Sequence, residues 1–122
     1  MIYSNYRIKF YRNSSNGRKP AKEYIENLNW KDRSKVLKYI DFLREREGYL
    51  DEPYSKHITG KMRELRVDFG KNRHRIFYFT FIGKAIILLS AFNKKSAKTP
   101  AGEIEKALNN YQDAINNPKM YE

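Results

Sequence analysis

Between residues 56 and 98, eleven lysines and arginines stand against two acids, Glu64 and Asp68, so this stretch alone holds +9 of the chain's formal +11. Among those cations, Arg66, Arg75, Lys94 and Lys95 lie at the edges of apolar runs, where a sheet can hold them in fixed positions. Cations crowded together do not stabilise a fold. They repel, and each is penalised when partly buried. Such a cluster makes sense if a polyanion completes it, and nucleic acid is the commonest one. Arginine grips phosphate with a planar fork. A lysine among other cations has its protonated form disfavoured, which suits it to act as a general base near neutral pH. Arg66 and Arg75 are therefore expected to hold a phosphate, with Lys94 or Lys95 moving a proton. Lys61, Arg63, Lys71, Arg73, His74 and Lys98 are expected to contact the same polyanion.

Each assignment has a plainer alternative. Arg66 and Arg75 can be paired with Glu64, Asp68 or another acid, as surface pairs commonly are. Lys94 and Lys95 can form a solvated turn. His74 points opposite to Arg75 by strand parity, so a packed or exposed role competes with proton transfer. The whole basic balance can be a surface kept soluble by self-repulsion. Tyr78 is expected in the core, Trp30 packed between two helices, and His57 without a role.

Other chemistries are not favoured. There is no Ser-His-Asp order, no phosphate-cradling glycine loop and no metal-binding carboxylate cluster. The chain has no cysteine and two histidines, so disulfides are excluded and a zinc site is hard to assemble. An enzyme here is expected to work without metal or cofactor. No apolar run approaches the roughly 20 residues that span a bilayer, and the N-terminus lacks a signal peptide's apolar segment. A soluble cytoplasmic protein is the expectation.

The elements that must position the cations can be read in order. Residues 6–11 alternate as a strand, with Tyr6, Ile8 and Phe10 on one face. Asn13 to Gly17 is turn chemistry, and Pro20 opens a helix that ends near Asn29. Asp32 is taken as the cap of a second helix, which runs to about Glu47 and stops at Gly48. Its buried face is expected to be Val36, Leu37, Ile40 and Leu43. Residues 49–59 read as a loop. Strands follow at 62–69, 73–82 and 85–92, joined by Gly70-Lys71-Asn72 and Gly83-Lys84. Thr99 caps a last helix with Pro100 at its first position, and the tail from Asn116 is expected to fray. At 122 residues this is one α+β domain, residues 1–122. It comprises an N-terminal strand, a helical hairpin, a three-stranded antiparallel meander and a C-terminal helix. Adjacent meander strands would bring Arg66, Arg75 and the Lys94-Lys95 pair to one end of one face.

With these residues in place, the run G-K-M-R-E-L-R-V-D-F, R-H-R-I-F-Y-F and F-N-K-K-S-A-K-T-P resembles the HigB-type toxins of bacterial toxin–antitoxin systems, in the phage-derived branch of the RelE/ParE superfamily. The likeness spans residues 6–108. It implies a RelE-like fold and a metal-free endoribonuclease that cuts mRNA in the ribosomal A site. It also implies a cognate helix-turn-helix antitoxin. By motif, Arg66 matches the arginine of E-L-R, Arg75 that of R-I-F-Y, and Lys94 and Lys95 the F-x-K-K pair. Met62 stands where the family has tryptophan, and Ser90-Ala91 where it has His-Gly. Under this reading the RNA 2′-OH attacks its adjacent phosphate while Arg66 and Arg75 stabilise the phosphorane. Lys94 or Lys95 takes the 2′ proton, and another cation or His74 serves the leaving oxygen. A ParE-like toxin that poisons gyrase shares the fold and leaves mRNA intact. A non-catalytic RNA-binding module would show a steep salt slope without cleavage.

Overall fold

The computed structural model describes residues 5–81 and 83–122. Five strands form one sheet: β1 (Arg7–Phe10), β2 (Ser55–Thr59), β3 (Met62–Phe69), β4 (Asn72–Phe81) and β5 (Ala85–Asn93). Their spatial order is β1-β5-β4-β3-β2. The strands from β2 to β5 run antiparallel, and β1 joins β5 in parallel. Among the described residues there are three α-helices: α1 (Pro20–Glu26), α2 (Trp30–Glu45) and α3 (Ala101–Asn116). The α+β class and the expected meander are present. Ile82, the expected last residue of the second meander strand, lies outside the described residues.

Side chains alternate across the sheet, and each face has its own core. On one face Leu65, Val67, Ile76, Tyr78, Ile86 and Leu88 pack against Ile25 of α1 and Val36, Ile40 and Leu43 of α2. On the other, Met62, Phe77, Phe79, Ile87 and Leu89 pack against Ala107 and Ala114 of α3. Strands β4 and β5 are buried on both faces, which is why their sequences run apolar without alternation. Gly48 ends α2 with a φ of 87°, and a Cβ there would collide with the Thr80 hydroxyl, so only glycine fits.

The structure corrects five expectations. Residues 49–59 are not all loop: β2 pairs with β3 from Ser55 opposite Leu65. Asn29, not Asp32, caps α2, its side chain accepting from the Asp32 N–H. Trp30 therefore begins the helix, and it is 66% exposed rather than packed between helices. Leu37 is exposed too, one step off the buried stripe. The tail does not fray at Asn116: a 3-10 turn at Pro118–Tyr121 seats Tyr121 in the core, its hydroxyl accepting from the Arg12 N–H at 3.1 Å.

Candidate functional site

Register decides what the strands bring together. Arg66 of β3 lies directly opposite Arg75 of β4. Next door, Arg75 pairs with Phe92 of β5, and the Lys94 N–H donates to the Arg73 carbonyl. Between β4 and β5 the pairing shifts: Phe77 faces Ser90, but Tyr78 faces Leu88. Leu89 is thus an extra residue, and such a bulge reverses the parity of everything after it. Without it, Lys94 would point toward α1 and α2. With it, Ser90, Phe92 and Lys94 share the face of Arg66, Arg73 and Arg75.

This face has two halves. Near its middle Phe77 and Phe92 stack at 5.7 Å, and the apolar core under α3 begins there. Toward the β3–β4 turn, polar groups replace it. Arg75 is only 5% exposed, and its Nη1 donates to Asp68 Oδ1 at 2.7 Å and to the His74 carbonyl at 3.0 Å. Its Nε is buried and has no partner among the described residues. Asp68 itself is largely in solvent. Lys94 is buried, and its ammonium makes no hydrogen bond or ion pair among the described residues. Burial, then the charges of Arg75, Arg66 and Arg73, hold its ammonium below the ordinary lysine pKa of 10.5, and Glu64 alone works the other way. Glu64 is fully buried, accepting from Arg66 Nε at 3.1 Å and from the Thr99 hydroxyl at 3.2 Å. That contact occupies Thr99, which does not cap α3.

The expected residues divide accordingly. Arg66, Arg75 and Lys94 form the cluster, and exposed Arg73 lies two residues along the same face. Lys71 is exposed in the β3–β4 turn, and Lys98 in the 94–100 connection. Lys95, one residue past Lys94 on that connection, is exposed and so stands apart from the buried cluster. Lys61 lies in the β2–β3 turn at the opposite end of the sheet, five residues from Arg66, or roughly 16 Å along a strand.

Arg63 and His74 belong to the other face and are corrections. Arg63 donates to Ser55 Oγ at 3.0 Å and stacks on Tyr49, 4.7 Å from the ring centroid. His74 is buried under the helices. Its Nε2 is 2.7 Å from Asp32 Oδ2 and its Nδ1 is 2.7 Å from the Tyr24 hydroxyl. Asp32 also accepts from Asn72. The His74 hydrogen bond, followed by that of Asn72, holds the Asp32 carboxyl below its usual range. Burial and the Asp32 charge push the Tyr24 phenol up to about 12, so it keeps its hydroxyl proton at neutral pH. His74 is a clamp between β4 and the two helices, without access to a polyanion.

Both arginines are paired, as the plainer alternative anticipated, but their partners differ in kind. Asp68 is an exposed carboxylate that an incoming anion can displace, whereas Glu64 is sealed in. Sequence reasoning treated Glu64 only as a possible ion-pair partner. Its signal was its position, two residues before Arg66 on the same face.

The family model described as Phage derived protein Gp49-like (DUF891) matches residues 23–112. Two strains of Mycobacterium tuberculosis carry a relative named Probable endoribonuclease HigB1. Each is 33% identical over 100 residues, covering 82% of this chain and 78% of the relative.

Proposed function

Because the chain belongs to the phage-derived Gp49-like family and is a HigB-type toxin, we propose that it is a ribosome-dependent endoribonuclease that cleaves mRNA and so stops translation. The observation that carries this reading is the convergence of Arg66, Arg75 and Lys94 on one sheet face, with Arg75 gripping an exposed carboxylate. Asp68 stands there for an anion. A phosphate brought to the same nitrogen would meet two guanidinium groups and the Lys94 amino group. The relative's name supports ribonuclease chemistry. The fold is read as RelE-like, and the whole 122-residue chain as its one domain.

In the proposed reaction the RNA 2′ oxygen attacks the adjacent phosphorus. Lys94 Nζ takes the 2′ proton, which requires its neutral form, and burial among cations favours that form. Arg66 and Arg75 hold the phosphorane, whose charge grows from one to two. Preorganised donors of this kind are worth about 3–4 kcal/mol each. The bond to the 5′ oxygen breaks, the leaving oxygen gains a proton from solvent, and a 2′,3′-cyclic phosphate and a 5′-hydroxyl result. The two guanidinium groups, joined by the ammonium that Lys94 becomes on taking the proton, can supply this charge stabilisation without a metal ion. Activity in excess chelator is therefore expected. The partners are mRNA in the ribosomal A site and a cognate helix-turn-helix antitoxin, in the cytoplasm. Among the described residues no helix is long and apolar enough to cross a membrane.

Toeprinting on translating ribosomes tests this reading with wild type and Arg75→Ala. New ends within the A-site codon, absent with the variant, are expected. Intact mRNA with the wild type overturns the proposal and directs attention to gyrase, through a supercoiling assay.

A further inference from the structure

A carboxylate with no solvent exposure, inside a cluster of cations, requires a reason. Ion pairs of this depth are seldom net stabilising, because desolvation offsets the attraction. Glu64 cannot serve as proton acceptor for an RNA hydroxyl, since it has no exposed surface to meet one. What it does hold is specific. Oε1 accepts from Arg66 Nε at 3.1 Å, and Oε2 accepts from Thr99 Oγ1 at 3.2 Å. The first contact fixes the guanidinium through its inner nitrogen. Both terminal nitrogens of Arg66 then remain without a hydrogen bond among the described residues, and the side chain stays 24% exposed. The second contact fixes the far end of the 94–100 connection, which begins at Lys94. One carboxylate thus sets the position of an arginine on β3 and of the segment that begins at Lys94, just past β5.

We infer that Glu64 is a positioning residue of this site, a buried anchor that aims the Arg66 fork and ties down the segment carrying Lys94. The inference rests on the ribonuclease reading above for its kinetic consequences, but not for its structural one. Glu64 also faces Lys94 together with Arg66 of β3 and Arg73 and Arg75 of β4. It is the one negative charge in that set. Removing it lowers the pH at which Lys94 loses its proton.

The test uses Glu64→Ala and Glu64→Gln in the full chain, with two readouts. In proton–nitrogen NMR, the Arg66 Nε–H should give a signal protected from exchange in wild type and in Glu64→Gln, where the amide oxygen still accepts. It should be lost in Glu64→Ala. In single-turnover cleavage on ribosomes, Glu64→Ala should lose about 100-fold in the cleavage rate constant, with half-saturation changed less than threefold. Glu64→Gln should keep at least a tenth of the wild-type rate, with its pH–rate curve displaced to lower pH. A merely structural role would not produce that displacement. An unprotected Arg66 Nε–H in wild type overturns the inference, as does wild-type cleavage by folded Glu64→Ala. Should Glu64→Ala fail to fold, an unshifted pH–rate curve in Glu64→Gln overturns it. If wild type leaves mRNA intact, the ribonuclease reading fails, and the NMR signal still decides whether Glu64 holds Arg66.

Discussion

Replacing Arg75 with methionine should separate catalysis from stability. In the folded chain this arginine is a liability as much as an asset. Its pair with Asp68 involves a largely solvated partner and is worth no more than about 1 kcal/mol. Its bond to the His74 carbonyl adds about 1 kcal/mol. Against these stand a buried Nε without a partner, costing about 1–3 kcal/mol, and repulsion with buried Lys94. Methionine keeps the apolar stem and removes both penalties. The expected change in unfolding free energy is within about 1 kcal/mol of zero, or in favour of Arg75→Met. Cleavage should nevertheless fall about 100- to 1,000-fold, the loss of one preorganised donor. Urea unfolding gives the first quantity, and toeprint time courses at excess protein give the second. A destabilisation of about 3 kcal/mol or more, with cleavage falling only as the folded fraction falls, would refute the reasoning. It would mean that Arg75 is a structural ion-pair residue. Equal cleavage by the variant would remove it from the site altogether.

Three further outcomes follow from the structure. Lys94→Arg keeps the charge but places it on a group that cannot give up its proton near neutrality. Its single-turnover rate should drop about 100- to 10,000-fold with binding of short RNA retained, and a wild-type rate would exclude Lys94 as the base. In the wild type the rate should rise with pH as Lys94 deprotonates, with its midpoint below pH 10.5. On the opposite face, Asp32 has a lowered pKa, so its contribution is fully present above the unfolded carboxyl value of about 3.8 and lost as pH falls through the folded value. Asp32→Asn should therefore be less stable than wild type at pH 7 by about 1–3 kcal/mol. Melting curves should converge in acid. A difference that stays constant down to pH 2 would show that the Asp32–His74 contact carries no charge-dependent stability.

Local chemistry made the helices and meander legible. Gly48 and Gly70 punctuate the chain, and the apolar periods of Val36-Ile40-Leu43 and Leu65-Val67 are unambiguous. Strand β2 escaped because S-K-H-I-T has one large apolar residue and lies at a sheet edge, where backbone pairing rather than burial defines it. Trp30 was misplaced by assuming that a large ring seeks the core. The Asn29 cap puts it at the first helical position, facing solvent. Tyr121 was lost to the expectation that tails fray, because its anchoring partner, Arg12, lies 109 residues earlier.

The site was half legible for a reason internal to β5. Parity along β3 and β4 places Arg66 and Arg75 together, and the short turn at Gly70 makes them opposite neighbours. Lys94 could not be placed that way. A strand buried on both faces has no alternation to read, so nothing in A-I-I-L-L-S-A-F reveals that Leu89 is an extra residue. Yet that single insertion decides whether the lysine joins the arginines or lies under α1 and α2. A bulge leaves no compositional trace in such a strand, and burial of a cation is paid for only where other constraints hold the backbone. The ladder through Phe92 and Asn93 on one side of Lys94, and Glu64 gripping Thr99 on the other, supply those constraints. Buried cations of this kind are positioned by the partners around them, and Glu64, legible in the sequence only as a possible ion-pair partner, is one of those partners.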